Sequence, residues 1–172
     1  MSKKNIVLIG FMGTGKTVTG RVLAEKTGME LVDMDSIIEE RAGKPISEIF
    51  AAEGEPAFRK MERALANELS QREGLIISTG GGVVLDPDNM ADFNSSGLVV
   101  CLTASPEIIF QRLENDTTRP LLSGDKKEQI SGILETRKPL YDAIRHQING
   151  DQLGPEERAE AILKLYELEN RS

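Results

Sequence analysis

Asn5-Ile6-Val7-Leu8-Ile9-Gly10-Phe11-Met12-Gly13-Thr14-Gly15-Lys16-Thr17 is the stretch that decides the fold of this 172-residue chain. Five residues of apolar strand character run into Gly, four residues, then Gly-Lys-Thr, and a helix-like stretch follows from Val18. Glycines let the backbone curl until its N–H groups point at one anion, and Gly13, Thr14 and Gly15 are the candidates to do so. The helix that follows adds the positive end of its dipole. Lys16 can reach the β- and γ-phosphates of a nucleotide, and the Thr17 hydroxyl can ligate Mg²⁺. With glycine near 7% of average composition, chance places this pattern in about one such chain in a hundred or fewer. The strand before it and the helix after it lower that further.

The length points to one domain, residues 1–172. A hydrophobic share of 39% and a charged share of 28% suit a globular protein with its own core. The formal charge of −7 argues against a general nucleic-acid binder, since a polyanion is repelled on average. It leaves room for a nucleotide site, which needs only local positive charge. The single cysteine, Cys101, lies in the apolar run Leu98-Val99-Val100-Cys101-Leu102. It excludes an internal disulfide framework and is expected as a buried strand residue. No stretch approaches the roughly 20 apolar residues that span a bilayer. With only Met1-Ser2-Lys3-Lys4 before the first strand, no leader is expected. The expected location is the cytoplasm, with no membrane partner, and the absence of a long apolar heptad favours a monomer.

Apolar runs at 5–9, 30–32, 75–78, 98–102 and, more weakly, 146–148 alternate with helical stretches at 16–27, 36–42, 46–71, 87–94, 106–114, 126–145 and 155–169. The runs are continuous rather than alternating, which predicts strands covered on both faces. Proline at the first helical position is expected after Asp86, Ser105 and Gly154. An interruption is expected at Gly54-Glu55-Pro56, and Pro139 should break or kink the late helix. The alternation predicts a three-layer α/β/α fold with a five-stranded parallel sheet and ligands at the carboxyl ends of its strands. Residues 115–127 read as a surface loop or as a mobile lid of the kind that excludes water from phosphoryl transfer.

A phosphate loop by itself gives a nucleotide site and no more. The Asn-Lys-x-Asp signature of guanine-specific switches is absent, and the strongest later strand ends in Ser78-Thr79-Gly80-Gly81-Gly82 rather than in the Asp of a motor ATPase. Asp33-Met34-Asp35 follows the second strand. These carboxylates could hold Mg²⁺ through water and accept the proton of an attacking hydroxyl. They could equally cap a helix, Asp35 in particular. The Gly80–Gly82 run permits close backbone approach and exposes N–H groups to an anionic or polyhydroxylated ligand, though a flexible turn would read the same. Arg59, Arg119 and Arg137 can each make bidentate bonds to carboxylate or phosphate. Taken singly, each could also be an ordinary surface arginine.

In this order and spacing the motifs resemble the shikimate kinases, small members of the nucleoside-monophosphate-kinase structural family, over nearly the whole chain. The matching elements are the phosphate loop, Asp33-Met34-Asp35, Phe58-Arg59 through Glu62, Gly80-Gly81-Gly82, Arg119-Pro120-Leu121-Leu122, and Arg137 before Pro139-Leu140-Tyr141. The resemblance implies transfer of the γ-phosphoryl of ATP to the 3-hydroxyl of shikimate, in the route to chorismate and aromatic amino acids. It implies that Lys16 binds the β- and γ-phosphates, Thr17 ligates Mg²⁺, and Asp33 holds Mg²⁺ through water. It makes Asp35 the group that orients or deprotonates the attacking hydroxyl. Arg59 and Arg137 clamp the carboxylate, Gly80, Gly81 and Gly82 complete the ring pocket, and Glu62 orients Arg59. Arg119 arrives with the lid, and Arg112 stacks on adenine. Two arginines, one carboxylate and a glycine backbone match an acceptor with one carboxylate and three hydroxyls.

Two positions depart from that pattern. The turn after the fifth strand reads Ile148-Asn149-Gly150-Asp151, and Gly20 sits within the first helix, where it costs about 1 kcal/mol relative to alanine. His146, the only histidine, has no evident partner and reads as structural. A related small-molecule kinase acting on gluconate or a nucleoside monophosphate is the alternative enzyme. A catalytically silent nucleotide-binding protein is the alternative of another class.

Overall fold

The protein is described by a computed structural model covering residues 3–114 and 126–172. The run that opens the chain forms β1 (Asn5–Ile9), and the stretch after the loop forms α1 (Lys16–Thr27). There follow β2 (Glu30–Asp33), α2 (Met34–Ala42), α3 (Ile46–Glu53), α4 (Glu55–Ser70) and β3 (Leu75–Ser78). A short 3₁₀ turn (Val83–Leu85), α5 (Pro87–Ser96), β4 (Gly97–Thr103), α6 (Pro106–Leu113), α7 (Lys126–Asp142), β5 (His146–Asn149) and α8 (Pro155–Asn170) complete the described chain.

Among the described residues five strands form one parallel sheet in the order β2-β3-β1-β4-β5. β1 is central. Val7 lies beside Ile77 of β3 on one side and beside Val99 of β4 on the other. Successive β1 residues feed opposite layers. Ile6 and Leu8 pack with Leu23 of α1 and Ile162 of α8, while Val7 and Ile9 pack with Leu65 of α4, Phe93 of α5 and Ile109 of α6. Helices on both faces explain why the strand is apolar throughout rather than alternating. Asn5 is the polar exception and is fully buried. Its Oδ1 accepts from the Leu75 N–H at 2.9 Å and its Nδ2 donates to the Arg72 carbonyl at 2.8 Å, so one amide sets the register where β3 begins. Cys101 is buried in β4, and burial pushes its thiol up to about 12.

Element boundaries meet the sequence expectation at Gly54 and differ from it elsewhere in instructive places. The helical stretch at 46–71 is divided at Gly54, whose φ of 84° is one that residues other than glycine seldom adopt. α7 does not end at Pro139. The proline falls in its last turn, so only one further turn depends on the lost N–H, and the buried Arg137 and Tyr141 on either side hold that turn against the core. Strand β2 runs one residue further than predicted, to Asp33. His146 does have a neighbour, its Nε2 standing 3.5 Å from Glu169 Oε1 of α8. The expected lid, 115–127, lies outside the described residues apart from Lys126 and Lys127, which open α7. Among the described residues no helix is long and apolar enough to cross a membrane.

Gly20 is accounted for by packing. A methyl placed there would stand 2.8 Å from Leu31 Cδ1, with the buried Leu8 and Ile76 close behind at 3.6 and 3.7 Å. The end of the half-buried Leu31 side chain can give way to one carbon. The rigid strand residues behind it cannot give way to three. Gly20→Ala should therefore change stability by no more than about 1 kcal/mol, because the gain in helix propensity offsets the crowding. Gly20→Val should cost about 1–3 kcal/mol by overpacking. Urea unfolding of the two variants checks this, and a Val variant as stable as the Ala variant would show that α1 does not press on the sheet at this point.

Candidate active site

An open cleft of about 430 Å³ lies at the carboxyl ends of β1, β2 and β3, where the strand order changes direction beside β1. The phosphate loop forms one wall. Gly15, at a φ of 89°, is the residue immediately before α1, and no side chain caps the helix, so its first N–H groups remain open to an anion. The loop is braced from within. The Thr14 hydroxyl donates to the Phe11 carbonyl at 2.8 Å, and Lys16 Nζ donates to the Gly10 and Phe11 carbonyls at 2.6 and 3.0 Å. Lys16 is only 9% exposed, so its ammonium is held at the mouth of the loop rather than in bulk water.

Beside the loop three oxygens converge. The Thr17 hydroxyl donates to Asp33 Oδ2 at 3.1 Å and lies 3.3 Å from the Ser78 hydroxyl. The other Asp33 oxygen accepts from the Ser36 N–H at 3.1 Å. Asp33, not Asp35, is therefore the N-cap of α2, while its second oxygen meets Thr17. The cause is the extra strand residue: β2 carries Asp33 to the helix boundary and moves Asp35 into the first turn of α2.

The opposite wall carries carboxylates, arginines and a glycine turn. Asp35, Arg59, Glu62, Gly80, Gly81, Gly82 and Arg137 all line the cleft. A methyl on Gly80 would stand 2.9 Å from Asp35 Oδ1 and 3.1 Å from Glu62 Oε2, so two carboxylates from α2 and α4 converge on this turn. A side chain at Gly82 would displace the Arg59 guanidinium from its present position. Arg59 Nη1 donates to Glu62 Oε1 at 2.9 Å, its other nitrogens reach Glu55 Oε1, and its Cζ stands 5.2 Å from the centre of the Phe58 ring. Arg137 is buried, 5% exposed. The neighbouring Tyr141 phenol donates to the Gly81 carbonyl and so ties α7 to the glycine turn. Arg112 does not reach this wall. It crosses the phosphate loop and donates to the Gly13 carbonyl at 2.6 Å. Arg119 lies outside the described residues.

The chain matches the shikimate kinase family over residues 12–167. It belongs to that family. A shikimate kinase of Thermodesulfovibrio yellowstonii is 46% identical over 165 residues, 95% of each chain. One of Caldicellulosiruptor saccharolyticus is also 46% identical, over 95% of each chain. The solved structure of the Acinetobacter baumannii shikimate kinase in complex with shikimate superposes with a TM-score of 0.91 at 38% identity, covering 98% of this chain and 94% of the other. The chain is thus an ATP-dependent kinase that transfers phosphate to an alcohol, built on the phosphate-loop kinase fold that its first strand and loop predict.

Family membership gives the cleft two substrates, and the geometry divides it accordingly into a phosphate side and an acceptor side. Ser78 and Tyr141 join that division without having been assigned a role from the sequence. Ser78 was visible only as the residue before Thr79-Gly80, and Tyr141 only as the end of Arg137-Lys138-Pro139-Leu140-Tyr141. Glu62 links the acceptor residues electrically. It is 2% exposed, and its Oε2 has no hydrogen-bond partner. Burial pushes this carboxyl above its ordinary value. The Arg59 guanidinium pulls it back, the Asp35 charge pushes it up again, and Arg137 opposes.

That upward shift has a defined sign for stability. A carboxyl whose folded pKa exceeds its unfolded one holds its proton longer in the native state. Its contribution is complete below the unfolded value and is lost as pH rises through the folded value. Glu62→Gln removes this loss. The melting temperature of the variant relative to wild type should therefore rise between pH 4 and the raised pKa. Melts across pH 4–8 test it, and a variant that falls progressively behind wild type over that range would mean that Arg59 stabilises the ionised form outright.

Proposed function

We propose that this kinase transfers the γ-phosphoryl of ATP to the 3-hydroxyl of shikimate, giving shikimate 3-phosphate and ADP, in the route to chorismate. The observation that carries this reading is the pairing of Arg59 and Arg137 with Asp35 and Gly80–Gly82 in one cleft, facing Lys16 and the phosphate loop. Guanidinium groups suit a carboxylate, and a carboxylate with a glycine backbone suits ring hydroxyls. An acceptor without a carboxylate, such as a plain sugar, has no use for the arginines. The A. baumannii relative was solved in complex with shikimate, which supports the same acceptor here.

The chemistry asks for alignment and charge neutralisation more than for covalent steps. The N–H groups of Gly13, Thr14 and Gly15, with Lys16, take the β- and γ-phosphates, and Lys16 exchanges its carbonyl partners for phosphate oxygens. Arg59 and Arg137 hold the shikimate carboxylate, with Glu62 keeping Arg59 aimed. Asp35 orients the 3-hydroxyl and accepts its proton as the oxygen attacks the γ-phosphorus and the bond to the β-phosphate oxygen breaks. Arg119 adds positive charge over the transferring group, and Arg112 faces the adenine. The Thr17, Asp33 and Ser78 oxygens are hard donors that fit Mg²⁺, which Thr17 would hold directly and Asp33 through water. Bound there, the ion supplies neutralisation of the phosphate charge. The protein acts in the cytoplasm as a monomer, without nucleic-acid or membrane partners.

A coupled ADP-release assay with MgATP tests the acceptor, comparing shikimate with quinate, gluconate and nucleoside monophosphates. Turnover confined to shikimate is expected, and turnover on another acceptor with none on shikimate would sink the assignment. Arg137→Ala should raise the KM for shikimate at least tenfold and leave ATP affinity within about twofold of wild type. Equal loss of both affinities would show that Arg137 supports the whole cleft and does not clamp one carboxylate.

A further inference from the structure

Arg158, on the first turn of α8, is the one strongly buried charge in the described structure that the reaction above does not use. It is 4% exposed, and no carboxylate among the described residues forms an ion pair with it. Its Nη1 donates to the Thr14 carbonyl at 3.2 Å, a contact spanning 144 residues, and its Nε has no partner. The guanidinium fills the space between two glycines. A methyl on Gly15 would stand 2.6 Å from Nη1, and one on Gly150 would stand 3.0 Å from it. Gly150 belongs to the turn after β5, and its N–H donates to the Thr103 carbonyl at 2.8 Å. Arg158 is thus wedged between that turn and the back of the phosphate loop. Burial, and then the Arg112 charge nearby, lower its pKa, but from so high a starting point that it stays protonated.

A buried cation with no anion to balance it is costly, so its counter-charge is to be sought in what the cleft binds. The peptide group it touches tells how the two communicate. The Thr14 carbonyl and the Gly15 N–H are opposite ends of one trans peptide. With Arg158 at the carbonyl end, the N–H end points away from it, and Gly15 lines the cleft. A cation on the carbonyl polarises the peptide and makes its N–H a stronger donor. We propose that Arg158 is a positioning residue for the nucleotide phosphates, acting from behind the loop by orienting and polarising the Thr14–Gly15 peptide. This rests on the reading of the cleft as an adenine-nucleotide site. It adds that phosphate affinity is set partly by a side chain that never touches the nucleotide.

Calorimetric titration of the full chain with ADP and with adenosine tests this, using wild type, Arg158→Met and Arg158→Lys. Wild-type binding of ADP is measured first and checks the nucleotide reading separately. A wild type that does not bind ADP takes both readings down. Met should lower ADP affinity tenfold or more and adenosine affinity by less than about threefold, because adenosine has no phosphate for the Gly15 N–H to meet. Lys, which keeps the charge, should recover most of the loss. ADP affinity within twofold of wild type in the Met variant overturns the proposal. So does an equal loss for ADP and adenosine, the mark of a merely structural wedge, and so does a Lys variant no better than Met. If the Met variant does not fold, the folded Lys variant decides. ADP affinity within threefold of wild type supports a role for the charge, and a larger loss overturns it.

Discussion

Everything in the cleft depends on how β1 ends. The strand is buried on both faces and hydrogen-bonded on both edges, so its backbone groups are satisfied until the chain leaves the sheet at Ile9. Beyond that point the chain is still inside the molecule, with neighbours on each side and no ladder to join. The loop resolves this by turning its carbonyls inward, onto Lys16, the Thr14 hydroxyl and N–H, and Arg158. On the proposed function, an anion completes that arrangement. The phosphate site is thus a way of finishing a central strand, and the buried cations around the loop stand where its carbonyls turn inward.

The acceptor side is governed by the opposite imbalance. There two carboxylates, Asp35 and Glu62, crowd one glycine turn, and Arg59 and Arg137 hold them in check. Glu62 is the pivot, because it is buried, half-paired and within electrostatic reach of the other three. A ligand bringing its own carboxylate to the arginines would change the balance felt by Glu62. On the proposed function, acceptor binding and the protonation of this side chain are therefore coupled. Tyr141 reinforces the turn from behind, and Gly82 leaves the room that Arg59 occupies.

The parts of this legible in sequence were those with a local cause. β1, the loop and α1 follow from a contiguous pattern, and the break at Gly54 and the proline-led starts of α5, α6 and α8 follow from backbone chemistry. Asp33, Asp35, Arg59, Gly80–Gly82 and Arg137 were found because their motifs resemble a family, and the fold then brought them to one cleft. What escaped was set by distance along the chain. Thr17 meets Ser78 across 61 residues, Tyr141 meets Gly81 across 60, and Arg158 meets Thr14 across 144. No periodicity records such meetings. The exchange of capping roles between Asp33 and Asp35 turned on a single residue of strand length, which propensity does not resolve. That α7 continues past Pro139 reflects the tertiary burial of Arg137 and Tyr141 on either side of it.

Cys101 gives the chain an internal gauge. It is the sole cysteine, fully enclosed in β4 next to the central strand, and its thiol stays protonated far above neutral pH. A disulfide reagent in solution cannot meet a thiolate there while the sheet is closed. Modification must await an opening that separates β4 from its covering helices, so the rate at which the native protein takes up one equivalent of reagent measures how often its core comes apart. Ligands that bind the native protein would slow that uptake in proportion to their binding, letting occupancy be read from a thiol beside the last residue of β1 without an assay of turnover.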